Sequence, residues 1–260
     1  MMIHQVNKQT WLGILLLIGL IVFSALGIDY SGLATFSFDM GIEVFKGLSH
    51  PDWSFIYDGS GEDLASLLIL TIAIACLGTM LATFFAIPLA LLSSRNLWQK
   101  HLWLVRFFKI VSNVLRAFPE LIFAIIFVKV VGPGPFAGVL AIGVHQIGML
   151  GKLFTEELEA MNERLIEDTQ AIGANTWQTI FYVRVPYLMP IYSSLALNHF
   201  EIAVRSAATL GLVGAGGIGA PLIFAIQTRS WDKVSIILLG VILTVFILDQ
   251  ITGIIRKKLR

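Results

Sequence analysis

Strongly polar side chains are scarce in this sequence, and several interrupt long apolar runs in pairs. Arg116 and Glu120 stand four apart, as do Glu201 and Arg205; Asn198 and His199 precede the second pair, and His145 and Gln146 lie in another run. On one helix face, a carboxylate and a guanidinium at that spacing can pair. An ionised group at the centre of a bilayer costs at least about 2.5–3.5 kcal/mol, so such groups must face a partner or a water-filled path. Internal ion pairs that fix packing and a path for a polar solute stand as equal readings. Arg116 and Arg205 are the candidates to face an anion, on charge alone. No metal site is expected at His145 and His199, because neither has a second ligand one turn away. No catalytic site is expected either, since His-Glu-x-x-His and Gly-x-Ser-x-Gly are both absent.

The elements that must position these groups are apolar. Of 260 residues, 57% are hydrophobic and 13% charged, and the mean hydropathy is +0.83. A soluble domain carries about 25% charged residues, so the deficit points to a membrane protein. The formal net charge of +1 offers no footprint for nucleic acid. The lone Cys76, inside an apolar run, reads as a small buried hydrophobe.

About six membrane spans are expected, near 11–28, 64–92, 111–131, 136–154, 187–210 and 234–255. The first is read as a retained helix rather than a cleaved signal. A domain boundary is placed at 63/64: 1–63 holds that helix and an acid-rich stretch, 29–63, in which a short helix lying on the membrane could form. Residues 64–260 form the core. The linker 93–109 holds Arg95, Lys100, Arg106 and Lys109 without an acid, and the chain ends in a basic cluster. The positive-inside rule then puts both termini in the cytoplasm of a plasma membrane protein.

The longest polar interruption is the elbow at about 155–185, which falls on the same face. Leu158, Met161, Leu165 and Ile172 recur at helical spacing among many acids, which fits an amphipathic helix outside the bilayer. Gly173 should loosen or end that helix, and Asn175 or Thr176 should cap a second. Pro186 and Pro190 mark the start of a new span. On the opposite side, Gly214, Gly216, Gly217 and Gly219 lie in Gly-Ala-Gly-Gly-Ile-Gly. A dinucleotide site is excluded there because membrane segments flank it. Close backbone approach or a flexible outer gate is expected instead.

Glu167-Asp168-Thr169, Gly173 and Val183-x-Val185-Pro186 resemble the Glu-Ala-Ala signature of ABC importer permeases, with Asp168 and Thr169 in place of the alanines. Arg-Ala-Phe-Pro-Glu at 116–120, Gly-Pro-Phe-Ala-Gly-Val-Leu at 134–140 and Gly-Met-Leu-Gly-Lys-Leu-Phe at 148–154 are similar to the phosphonate permease subfamily. The glycine segment at 214–219 is shared with permeases for methionine and quaternary amines. The resemblance implies an all-α, polytopic, type I importer permease fold. It also implies a homodimer, two cytoplasmic ATP-binding subunits and an extracytoplasmic binding protein. Glu167, Asp168, Gly173, Ala174 and Pro186 would couple to the ATPases. ATP and Mg would sit on those partners and no cofactor on this chain, which lacks the Gly-x4-Gly-Lys-Ser/Thr loop. An importer for methionine or another small solute is the alternative, and a self-contained channel or secondary transporter the rival from another class. A membrane enzyme ranks behind both.

Overall fold

A computed structural model describes residues 8–31 and 37–259. Residues 32–36 of the acid-rich stretch and Arg260 of the basic terminus lie outside the described residues. Among the described residues every regular element is a helix. The chain divides by internal contacts into residues 1–46 and 47–260. The first unit holds α1, Lys8–Leu26, whose apolar part Thr10–Leu26 is shorter than the spans of the second unit. Helix α2, Phe38–Leu48, follows, and a short 3-10 turn covers Trp53–Ile56.

Asp63 starts the second unit's core. Its carboxylate accepts from the backbone N–H of Ser66 at 2.7 Å and of Gly59 at 3.3 Å, capping α3, Leu64–Ser93. The N–H groups of a first helical turn have no partner within the helix, and a carboxylate there satisfies one of them. After α3 come α4, Leu102–Ala117, and α5, Glu120–Val131, then α6, Pro135–Ala160, and α7, Glu163–Ala171. A short α8, Thr176–Thr179, passes through a π-helical turn, Ile180–Arg184, into α9, Val185–Leu210. Helices α10, Gly219–Gln227, and α11, Trp231–Leu259, complete the chain.

Among the described residues four helices are long and apolar enough to cross a membrane: Leu64–Ser93, Pro135–Ala160, Thr176–Val213 and Trp231–Leu259. One expectation is sharpened and one changes. The crossing read at 111–131, which the sequence interrupts at Arg116–Glu120, is two separate helices, because Pro119 disfavours helical backbone at Phe118, whose ψ is 130°. The span read at 187–210 begins at Thr176, because Pro186 and Pro190 sit inside one continuous helix instead of opening a new one.

Small residues bring α3 and α6 together. Ala82, Ala86 and Ala90 pack on Leu150 and Phe154, and a Cβ added at Gly143 or Gly151 would meet Leu81 at 2.7 Å or Leu89 at 2.6 Å. Without a hydrophobic drive between helices in lipid, such close approach supplies the packing energy. A second cluster centred on Ile74, Ile142, Val204 and Leu210 joins α3, α6 and α9.

Candidate functional site

The elbow is built from local caps. Helix α6 ends at Ala160, and Asn162 opens α7: its Oδ1 accepts from Arg164 N at 3.1 Å and its carbonyl from Leu165 N at 3.2 Å. Leu158, Met161 and Ile166 are buried and anchor the elbow. Leu165 and Ile172, expected on the same apolar stripe, are exposed instead, because the break at Asn162 resets the helical phase. Gly173 turns the chain at φ +89°, a left-handed conformation favoured only by glycine. Asn175 then caps α8 in a reciprocal box with Gln178, at 2.9 and 2.8 Å.

Glu167 and Asp168 point outward on α7 and have no bonded partner among the described residues. Near them in sequence, Ile172, Trp177, Phe181 and Tyr182 are 62–86% exposed, with Trp177 stacked on Phe181. Ala174 is half-buried and Pro186 exposed. Free carboxylates beside exposed aromatic surface make a face suited to docking a protein.

The link from the elbow to α9 contains an unexpected feature. Val185 N–H reaches back to Ile180 O, closing a π-helical turn immediately before Pro186. Proline cannot donate and crowds the carbonyl four residues earlier; a wider turn relieves both. Arg184 in this turn is buried, and its Nε and Nη1 have no partner. Sequence reasoning passed over it as the variable position of Val-x-Val-Pro; the one available signal was a lone cation in an apolar run. Tyr192 then fastens α9 to α6, its ring 4.0 Å from that of Phe154 and its hydroxyl donating to Phe154 O at 2.8 Å.

The expected mid-span pairs are not formed. Arg116 donates from Nε to Asn113 Oδ1 at 3.2 Å, while Glu120 lies beyond the break at Pro119, beside Ser206 and His145. Spacing by four makes a pair only along an unbroken helix. Glu201 bonds Arg256 of α11 at 2.7 Å and also accepts from Thr252, so Arg205 is left exposed and unpaired among the described residues. Gln146 Nε2 donates to His199 O at 3.1 Å, and His199 lies beside His145. Buried atoms of Glu120, His145, Gln146 and His199 lack partners. Asn198 and Arg205, seven residues apart, share an exposed face of α9. No cluster of three metal-ligating side chains occurs among the described residues.

The glycine segment is tightly packed at the far end of the bundle. Gly134 N–H donates to Gly214 O at 2.8 Å, and Ile218 N–H donates to the buried Thr71 Oγ1 at 3.0 Å. Gly214, Gly216 and Gly217 all have positive φ. A Cβ at Gly216 or Gly217 would stand 2.8 Å from Pro135 or Thr71, and at Gly219 it would overlap Ala208 O.

Residues 82–260 match the family described as binding-protein-dependent transport system inner membrane component. The chain is 35% identical to the phosphite transport system permease protein PtxC of Stutzerimonas stutzeri, over 74% of this chain and 70% of that one. It is 32% identical to the phosphate-import permease protein PhnE of Mycolicibacterium smegmatis, over 78% of this chain and 38% of that one. A chain in inward-facing structures of the MetNI methionine ABC transporter superposes with a TM-score of 0.64 at 18% identity, covering 86% of this chain and 100% of that one. That likeness is one of fold.

Proposed function

This chain belongs to the inner-membrane components of binding-protein-dependent transport systems, transport subunits rather than enzymes, and on that premise we propose that it forms the membrane path of an ATP-driven importer for phosphorus oxyanions such as phosphonate or phosphite. The observation that carries the substrate class is Arg205. It is an exposed guanidinium inside a helix long enough to cross the membrane, and it forms no ion pair among the described residues, Glu201 one turn away being engaged by Arg256. Lipid cannot solvate it cheaply, so it faces a water-filled path or a partner. Asn198 shares its face, and Arg116 lies exposed on the broken crossing. Relatives named for phosphite and phosphate import fit a path that attracts anions.

In this reading two copies of the chain enclose the path. Glu120, His145, Gln146, His199 and Glu201 stand behind its arginines. Two ATP-binding subunits, which hold ATP and Mg, dock on the elbows at Glu167, Asp168, Gly173, Ala174 and Pro186. An extracytoplasmic binding protein delivers solute at the end closed by Gly214, Gly216, Gly217 and Gly219. The elbow end and both termini are assigned to the cytoplasm by loop charge: the linker 93–109 holds Arg95, Lys100, Arg106 and Lys109 without an acid and the chain ends in a basic cluster, whereas the stretch before α3 holds Asp52, Asp58, Glu62 and Asp63. ATP binding draws the elbows together and opens the outer face, and hydrolysis resets it.

The test is uptake by proteoliposomes holding this chain, its ATP-binding subunits and its binding protein. Phosphonate or phosphite should accumulate only with ATP, and methionine should not. Arg205→Ala should lower uptake at least tenfold without loss of assembly. Uptake in the absence of the ATP-binding subunits, or unaltered uptake by Arg205→Ala, overturns the reading.

A further inference from the structure

A half-open cavity of about 120 Å³ lies where α3, α4 and α6 meet at the elbow end, lined by Ser93, Lys109, Asn113, Lys152 and Glu156 among others. One water needs only about 10–15 Å³, so this space admits a larger polyatomic group. Its remaining wall groups, Ser112 and Thr155, have spent their hydroxyl protons on Gly148 O and Gly151 O, at 2.8 and 2.6 Å.

Four wall groups keep donor capacity, while Glu156 brings one carboxylate to the same wall. Ser93 is 1% exposed, and its Oγ has no partner although it borders the cavity. A buried hydroxyl in that state is costly unless something fills the space. Asn113 uses its Oδ1 to accept from Arg116 Nε, which leaves the amide NH2 free. Lys109 engages both oxygens of Glu159, at 2.9 and 3.0 Å, and keeps a third N–H. Lys152 is held only by Glu156, at 3.3 Å, with the two side chains 40% and 55% exposed. That is the weakest sort of ion pair, and Glu156 can turn to water while Lys152 turns inward.

We propose that this cavity is an oxyanion site that takes a phosphate or phosphonate group. Lys152 and Lys109 supply the charge, and Ser93 and Asn113 supply directed hydrogen bonds. Its occupant ties the C-terminal turns of α3 and α6 to the middle of α4. The same chemistry has two sources at this face of the protein: a free phosphorus oxyanion in the adjoining water, and the headgroup of an anionic lipid. The site shares no residue with the Arg205 face, so it stands apart from the transport reading.

The experiment uses the full chain with its ATP-binding subunits, freed of lipid in an uncharged detergent. Inorganic phosphate is titrated while the melting temperature is followed. In a second arm the complex is melted in nanodiscs of phosphatidylcholine alone or with added phosphatidylglycerol. A saturable rise with phosphate identifies the free ion as occupant, a rise with phosphatidylglycerol alone identifies the headgroup, and a rise in both arms shows that either source fills the site. In each case Lys152→Gln and Ser93→Ala should weaken the effect about tenfold, while Arg205→Ala leaves it intact. Lys152→Gln removes a half-exposed group and should fold normally, which covers a failure of Ser93→Ala to assemble. No saturable rise in either arm, or a rise that Lys152→Gln leaves unchanged, overturns the proposal.

Discussion

Arg256 Nη2 lies 2.7 Å from Glu201 Oε1, joining two helices across 55 positions of sequence. Glu201 is buried, so removing its partner strands a carboxylate among apolar helices. Arg256→Ala should therefore destabilise the bundle by about 3–5 kcal/mol. Arg256→Met combined with Glu201→Gln should recover most of that loss. Denaturation of the purified variants in detergent checks both, and equal stability of Arg256→Ala and wild type would refute the pairing.

Gly173 turns the elbow at a φ of +89° with nothing within 4 Å of an added Cβ. The restraint is therefore the backbone rather than space. Gly173→Pro, whose ring fixes φ near −65°, cannot make this turn. Uptake should be lost and ATP hydrolysis should no longer respond to the loaded binding protein, while membrane insertion stays normal. Glu167→Lys should do the same by reversing charge on the docking face. Measuring hydrolysis with and without the binding protein separates this outcome from simple misfolding.

Gly217 is the opposite case. Its φ is +79°, and a Cβ would stand 2.8 Å from Thr71 Oγ1, the acceptor for Ile218 N–H. Gly217→Ala should cost about 1–3 kcal/mol through strain and overpacking. Pairing it with Thr71→Ser, which keeps the acceptor and removes the methyl group, should leave the penalty largely in place, because the clash is with the oxygen. Thermal melts of the two variants test this.

Asp63 sets an acid limit on one helix end. Hydrogen bonds from the Ser66 backbone N–H and then its hydroxyl hold the Asp63 carboxyl below the usual carboxylate range. Its folded value is thus lower than its unfolded value of about 3.9. The stabilisation is complete above that unfolded value and fades as pH falls through the folded one. Asp63→Asn keeps an acceptor without a charge, so melting temperatures below pH 4 should fall less steeply than in wild type. Parallel slopes would show that the cap contributes no pH dependence.

The sequence made the apolar helices and the elbow readable because both depend on local pattern: long uncharged runs, Gly173 and Asn175. What depended on distance was not legible. Glu201 has Arg205 one helical turn away in the sequence, whereas its partner comes from the last helix. Arg116 and Glu120 failed as a pair for a local reason, since Pro119 between them is a visible break. The π-helical turn follows from Pro186, but only once the helix is known to continue through it. Thr71 and Ser93 gained significance solely from what stands opposite them.

The helix from Thr176 to Val213 has 38 residues. At about 1.5 Å per residue it is some 57 Å long, against a hydrocarbon core of about 30 Å. In the importer proposed above it can act as a lever, with Tyr192 clamped on Phe154 as its fulcrum. A small sideways push on Trp177 would swing Asn198 and Arg205 the opposite way, and the extra residue in the π-helical turn fixes the azimuth at which the push is received.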